Sequence, residues 1–247
     1  MIEQYKGGIN NDNHQFTYAL KKKITKDRLY HEDLWYFKTN PKSSLRQSRG
    51  AAKRQEGLKN DNPLGGWEDV LKYNKKWDVA VDIGARVGEW SRPMSEVFNK
   101  VISFEPREKW CECFIKNVKM KNVELYQCGL SDEDGWATMD GNSFRQGHSA
   151  DGVINYLEEG EGMQLKTLDS FNIPKIDFMK IDVDGLEMKV ILGGEATLLR
   201  TKPVMMIECC PKFNYQEYCK YIEDLGAKHI KDYTYKNKLH DRLYMWD

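Results

Sequence analysis

No apolar run in this chain approaches the roughly 18 residues of a membrane-spanning helix, and the N-terminus lacks the apolar stretch of a secretory signal. The expectation is a soluble, cytoplasmic protein without membrane contact. Net charge is lacking too: 38 Lys and Arg balance 38 Asp and Glu, so no overall field draws a polyanionic partner. That balance is uneven along the chain, the first seventy-odd residues being basic and the remainder acidic. The six cysteines, Cys111, Cys113, Cys128, Cys209, Cys210 and Cys219, lack the paired spacing of a zinc knuckle and read as reduced thiols. Repeats and low-complexity segments are also missing.

What is present fits one sizeable core. A length of 247 residues accommodates a domain of roughly 170 residues and a smaller appendage. The boundary falls near residue 75, with a basic N-terminal extension at 1–75 and a catalytic domain at 76–247. The extension shows no strand-like alternation. Its aromatic cluster Leu34, Trp35, Tyr36 and Phe37 and the apolar face Trp67, Val70 and Leu71 read as helical pieces packed on the domain. After Trp77 short apolar runs alternate with helical patterns, the signature of βαβ units and a parallel sheet. Strands are predicted near 78–83, 101–105, 122–128, 177–182, 203–208, 227–233 and 239–246. Helices are predicted near 88–99, 108–119, 186–200 and 213–225, and 135–139 with 163–168 reads as an added hairpin.

The segment from Val79 to Trp90 is a strand ending in an acid, a glycine turn and the start of a helix. Gly84 and Gly88 let the backbone approach a ligand without Cβ clashes, and the helix start offers N–H groups. About twenty residues on, Phe104-Glu105-Pro106 closes the next strand with an acid placed to accept two hydrogen bonds from a ribose diol. A glycine loop of this kind serves nicotinamide dinucleotides and S-adenosylmethionine alike. Two details favour the second: Arg86 stands where a pyrophosphate-binding loop wants glycine, and Asp82 is placed to meet an α-ammonium directly or through water.

Five elements in order, Val81-Asp-Ile-Gly-Ala-x-Val-Gly88, Phe104-Glu-Pro106, Gly129-Leu-Ser-Asp-x-Asp-Gly135, Thr167-Leu-Asp-Ser170 and Lys180-Ile-Asp-Val-Asp-Gly-x-Glu187, resemble the FkbM family of methyltransferases over residues 78–210. The resemblance implies a Rossmann-like class I fold, a seven-stranded mostly parallel sheet flanked by helices in the order 3-2-1-4-5-7-6 with the seventh strand antiparallel. It implies S-adenosyl-L-methionine as cofactor and O-methylation of a hydroxylated small metabolite or sugar. Carried over residue by residue, Asp82, Gly84, Ala85 and Gly88 surround the methionyl moiety. Glu105 and Pro106 meet the ribose, and Leu130 offers its backbone N–H to the adenine edge. The family usually has Asn where this chain has Arg86, and the first seventy residues fall outside the resemblance.

An alcohol acceptor needs a group to receive its proton, and a doubly wound sheet presents such groups at the carboxyl ends of its strands. Asp182 is the first choice as a catalytic or orienting acid, with Lys180 as its charge partner. Glu208 ends the following strand, and His148 lies in a loop beside the cleft. Glu187 favours a structural role at a helix start. No metal is expected, although Asp182, Asp184 and Glu208 form the hard-oxygen set a divalent cation would use. The rival function is nucleic-acid binding or modification through Lys21 to Lys23, Arg46, Arg49, Lys53 and Arg54, with Trp35 or Tyr36 stacking on bases.

Overall fold

The computed structural model describes residues 16–18, 35–37, 66–139, 154–211, 213–235 and 238–247. Two short strands, β1 (Phe16–Tyr18) and β2 (Trp35–Phe37), pair antiparallel with Phe16 opposite Phe37. The aromatic cluster expected to be helical is thus extended at residues 35–37, because aromatic residues favour a pleated backbone once a partner strand supplies the hydrogen bonds. The basic residues Lys21 to Lys23, Arg46, Arg49, Lys53 and Arg54, and also His148, lie outside the described residues. Helix α1 (Trp67–Tyr73) buries Trp67 and Val70 as its spacing predicts. Leu71, expected on the same face, is 37% exposed; it projects about 100° around the helix from Val70.

The main sheet is built from β3 (Val79–Ile83), β4 (Lys100–Phe104), β5 (Val123–Tyr126), β10 (Phe178–Ile181), β11 (Val204–Glu208), β12 (Ala227–Tyr235) and β13 (Lys238–Trp246). Its spatial order is β12-β13-β11-β10-β3-β4-β5, and β13 alone runs antiparallel to its neighbours. This is the implied order read from the opposite edge. Helices α2 (Ser91–Val97), α3 (Glu108–Asn117), α4 (Glu187–Leu192), α5 (Glu195–Thr201) and α6 (Tyr215–Asp224) connect the strands. The predicted helix at 186–200 is two helices, split at Gly193-Gly194, where a side chain at 193 would lie 1.9 Å from the Ser131 carbonyl oxygen. The predicted hairpin exists, β7 (Gly135–Met139) pairing antiparallel with β9 (Met163–Lys166). Joined by β6 (Gly129–Leu130) and β8 (Ile154–Leu157), it forms a second sheet of order β6-β9-β7-β8.

Strand alternation sorts the main sheet into two faces. One carries Val81, Ile83, Ile102, Met179, Ile181, Met205 and Ile207 into the core beneath α4–α6. The other carries Ala80, Val101, Phe178, Val204, Met206 and Leu243 against Trp67, Val70, Met94 and Phe98. Toward the carboxyl ends of the strands this second face turns polar. Ser103, Asp82 and Lys180 stand in register across β4, β3 and β10, and Glu208 stands opposite Asp241. The site is assembled along that edge.

At the opposite edge, buried Asp177 joins three strands. Its Oδ2 accepts the N–H groups of Asp78 (2.8 Å) and Val79 (3.0 Å), while its main chain bonds to Val79 and Val204. Asp177→Ala leaves two donors without their acceptor, at a cost of about 2–4 kcal/mol. Urea unfolding is expected to show the midpoint falling with the m-value unchanged.

Candidate active site

The loop after β3 is fastened to the end of β4. The N–H groups of Gly84 and Ala85 both donate to the Phe104 carbonyl at 3.0 Å, and that of Arg86 donates to Glu105 Oε2 at 3.0 Å. The other Glu105 oxygen accepts from the Arg107 N–H at 2.9 Å. Burial raises the Glu105 pKa, opposed by Arg107, Arg86 and these backbone donors. A carboxylate has about four lone-pair sites, so two remain for ligand hydroxyls. Gly84 has φ +81 and passes so close to β10 that a side chain would meet the Asp182 carbonyl oxygen at 1.9 Å. Gly88, at φ +89, lets α3 approach, since a side chain there would strike Val118. Arg86 takes φ +50, a left-handed conformation that Asn tolerates better than Arg. Its guanidinium is held by Glu89 at 3.5 Å and stands over the Trp110 ring.

Asp82 lies beneath this loop, only 2% exposed, and accepts from Ser91 Oγ at 2.5 Å; Ser91 in turn meets Ser103 Oγ at 2.8 Å. It ties the start of α2 to β3 and β4. Pro106 is half-buried beside Gly129, and Leu130 is buried in the core with its strand paired to β9.

At the end of β10, Lys180 is almost wholly buried. Its ammonium spans β11 to reach Asp241 Oδ1 on β13 at 2.7 Å and also meets Asp182 Oδ2 at 3.2 Å, with the Trp90 ring 5.7 Å away. Burial opposes its charge, but Asp182, Asp241 and Glu208 outweigh burial and hold its pKa above the ordinary lysine value. β10 ends at Ile181, so alternation does not carry Asp184 to its place. Asp184 instead takes a left-handed turn at φ +54, within a loop whose Val183 and Gly185 N–H groups donate to buried Glu187. Glu187 therefore braces this loop as Glu105 braces the first.

The result brings three predicted acids together. Carboxylate oxygens of Asp182, Asp184 and Glu208 all lie within 4.8 Å of one another, a spacing compatible with a hard divalent cation. Burial first, and then mutual repulsion led by Asp182, pushes Asp184 up to about 7 and Glu208 up to about 11. Glu208 Oε2 is buried without a hydrogen-bond partner.

Two neighbouring groups went unnoticed in the sequence, His240 and Asp241, joined through Nδ1 and Oδ2 at 2.7 Å. The signal was there: an antiparallel seventh strand presents its beginning, not its end, at the carboxyl edge of the parallel strands.

A family model described as Methyltransferase FkbM domain matches residues 82–236, from the end of β3 to just past β12. The chain belongs to the FkbM methyltransferase family. The chain is similar to Methyltransferase 1 of Beauveria bassiana (strain ARSEF 2860), 28% identical over 156 residues, 49% of this chain and 63% of that protein. The chain thus spans less than two thirds of that relative. Solved structures similar to this FkbM protein include the FkbM methyltransferase of Methylobacillus flagellatus KT, 13% identical with a TM-score of 0.48, covering 69% of this chain and 44% of that one. An rRNA methylase from Streptococcus thermophilus is also 13% identical with a TM-score of 0.48, covering 76% of this chain and 98% of that one. Among the described residues no helix is long and apolar enough to cross a membrane.

Burial pushes Asp82 up to about 7, with the Ser91 hydrogen bond and Lys180 opposing it. A carboxyl whose folded pKa lies above its unfolded value binds its proton more tightly when folded. It therefore withdraws stability as pH rises between about 4 and 7, by at most about 1.4 kcal/mol per pH unit. Asp82→Asn keeps an acceptor for Ser91 and does not titrate. Chemical unfolding at several pH values is expected to give a flatter stability profile for the variant across that window; parallel profiles contradict this account.

Proposed function

We propose that this FkbM methyltransferase transfers the methyl group of S-adenosyl-L-methionine to a hydroxyl oxygen of a small metabolite or sugar. The observation that carries the cofactor assignment is Glu105, buried under a glycine loop with both oxygens fixed by backbone donors and lone pairs left for a ribose diol. Gly84 and Gly88 keep the loop free of side chains where the methionyl part passes. Ala85 and Pro106 flank it, and Leu130 lies toward the adenine. Asp82 supports the loop from below through Ser91. When bound, the cofactor supplies a methyl group already activated on a sulfonium, so the protein's work is to hold the acceptor on the sulfur–methyl axis and exclude water.

Across the cleft, Asp182 is the acid we assign to orient the acceptor hydroxyl. Its side chain is one-third exposed, and Lys180 holds it at 3.2 Å from the buried side. Glu208 and Asp184, raised by burial and mutual repulsion, form the adjacent wall and donate as neutral carboxyls when protonated. That wall recognises the acceptor's other hydroxyls.

Two outcomes test this reading. Calorimetry is expected to show S-adenosylmethionine and S-adenosylhomocysteine binding while nicotinamide dinucleotides do not, and Glu105→Ala is expected to weaken that binding about thirty- to a thousandfold, the equivalent of about 2–4 kcal/mol. An unchanged dissociation constant in a folded variant places the ribose elsewhere. Against a panel of hydroxylated acceptors with labelled cofactor, Asp182→Asn is expected to keep cofactor affinity and reduce turnover at least about a hundredfold, because the amide loses the charge that aligns the hydroxyl. Normal turnover removes Asp182 from the mechanism.

A further inference from the structure

We propose that Cys209 and Cys219 form a reversible disulfide, a modification site that ties helix α6 to the end of β11 beside the acid wall. Cys209 follows β11 and lies with Ile207 in the core beneath α6. Helical spacing turns Cys219 inward with Tyr218 and Ile222, so the two thiols meet where α6 packs on the sheet. Their sulfurs are 3.6 Å apart, and both side chains are buried. A disulfide holds its sulfurs about 2.05 Å apart, so an approach of roughly 1.5 Å closes the bond.

The surroundings divide the chemistry between the two. The hydrogen bond from Cys209, and after it Tyr244 and Arg242 of β13, hold the Cys219 thiol below its ordinary pKa against burial. The same bond and burial push Cys209 up. Cys219 is therefore the sulfur that ionises and attacks, and Cys209 the one that resolves. At Cys111, Cys113 and Cys128 burial instead pushes the thiol up, so these stay protonated and inert. The cover over the pair is one helix thick: Gln216, Glu217, Lys220 and Glu223 on the outer face of α6 are exposed, and a water-sized hydroperoxide reaches the sulfurs when this helix opens locally.

The step balances with hydrogen peroxide as oxidant. The Cys219 sulfur attacks a peroxide oxygen, the O–O bond breaks, and the released oxygen leaves as water, giving a sulfenic acid. The Cys209 sulfur then attacks the Cys219 sulfur, the S–O bond breaks, and the second oxygen leaves as water with the Cys209 proton. Two thiols and one peroxide become one disulfide and two waters, and a dithiol reverses the bond by exchange. The bond bears on the acid wall through two existing contacts. Cys209 adjoins Glu208 and donates its N–H to the His240 carbonyl at 2.7 Å, while Tyr218, beside Cys219, donates its hydroxyl to the Glu208 carbonyl at 2.6 Å.

The test needs neither cofactor nor acceptor, so its failure leaves the proposed methyl transfer untouched. The folded full chain, treated with hydrogen peroxide, is expected to lose two of its six thiols and the mass of two hydrogen atoms, and dithiothreitol is expected to restore both. Trypsin cuts after Lys212, between the two sulfurs, so peptide mapping locates the bond. Cys210→Ser is expected to keep it and Cys219→Ser to abolish it. Hydrogen exchange across 215–224 is expected to slow on oxidation while that across 79–90 is unchanged. A link made to Cys210, oxygen gained in place of hydrogen lost, a bond that forms only in urea, or exchange in α6 indifferent to oxidation overturns the proposal.

Discussion

The interaction on which the rest of the site depends is the buried ammonium of Lys180. A charge at this depth persists only when paired, and Lys180 is paired with Asp182 on its own strand and Asp241 two strands away. Because the side chain crosses β11 to reach β13, it couples the parallel part of the sheet to its antiparallel edge. It also sets the polar limit of the second face: below it the sheet carries Phe178 and Met206, and above it acids and an imidazole. Removing either carboxylate leaves the buried ammonium with one compensating charge fewer, which is why these residues act as one unit.

Two buried glutamates then shape the two loops that meet over this edge. Glu105 gathers the N–H groups of Arg86 and Arg107, and Glu187 those of Val183 and Gly185. Each takes a turn containing left-handed residues and satisfies its backbone donors with a carboxylate, a stronger acceptor than a carbonyl. The loops touch where Gly84 passes the Asp182 carbonyl, so the loop after β3 and the loop after β10 share one close backbone contact. A displacement of either loop is felt by the other.

Much of this was legible in the chain. The alternation of short apolar runs and helical patterns placed all seven strands of the main sheet, and the added hairpin was visible between the third and fourth. The acids at the ends of β3, β4, β10 and β11 were recognisable because each closes a short apolar run, and those after β3 and β10 come just before a glycine. The errors came where local pattern is weak. Residues 35–37 are extended because β1 pairs with them, and the helix beginning near 187 breaks at Gly193-Gly194, where a side chain at 193 would meet the Ser131 carbonyl.

The sequence by itself determined which residues alternate, which glycines permit tight turns and which acids close strands, since these follow from backbone geometry over a few neighbouring positions. Tertiary structure alone decided what those groups meet. Asp82 turns inward to Ser91, Asp184 reaches Asp182 and Glu208 through a left-handed loop instead of strand alternation, and His240 arrives beside them from a strand running the other way. Sequence separation carries no information about such meetings: Lys180 and Asp241 are 61 residues apart, and only the packing of three strands places their charges at 2.7 Å.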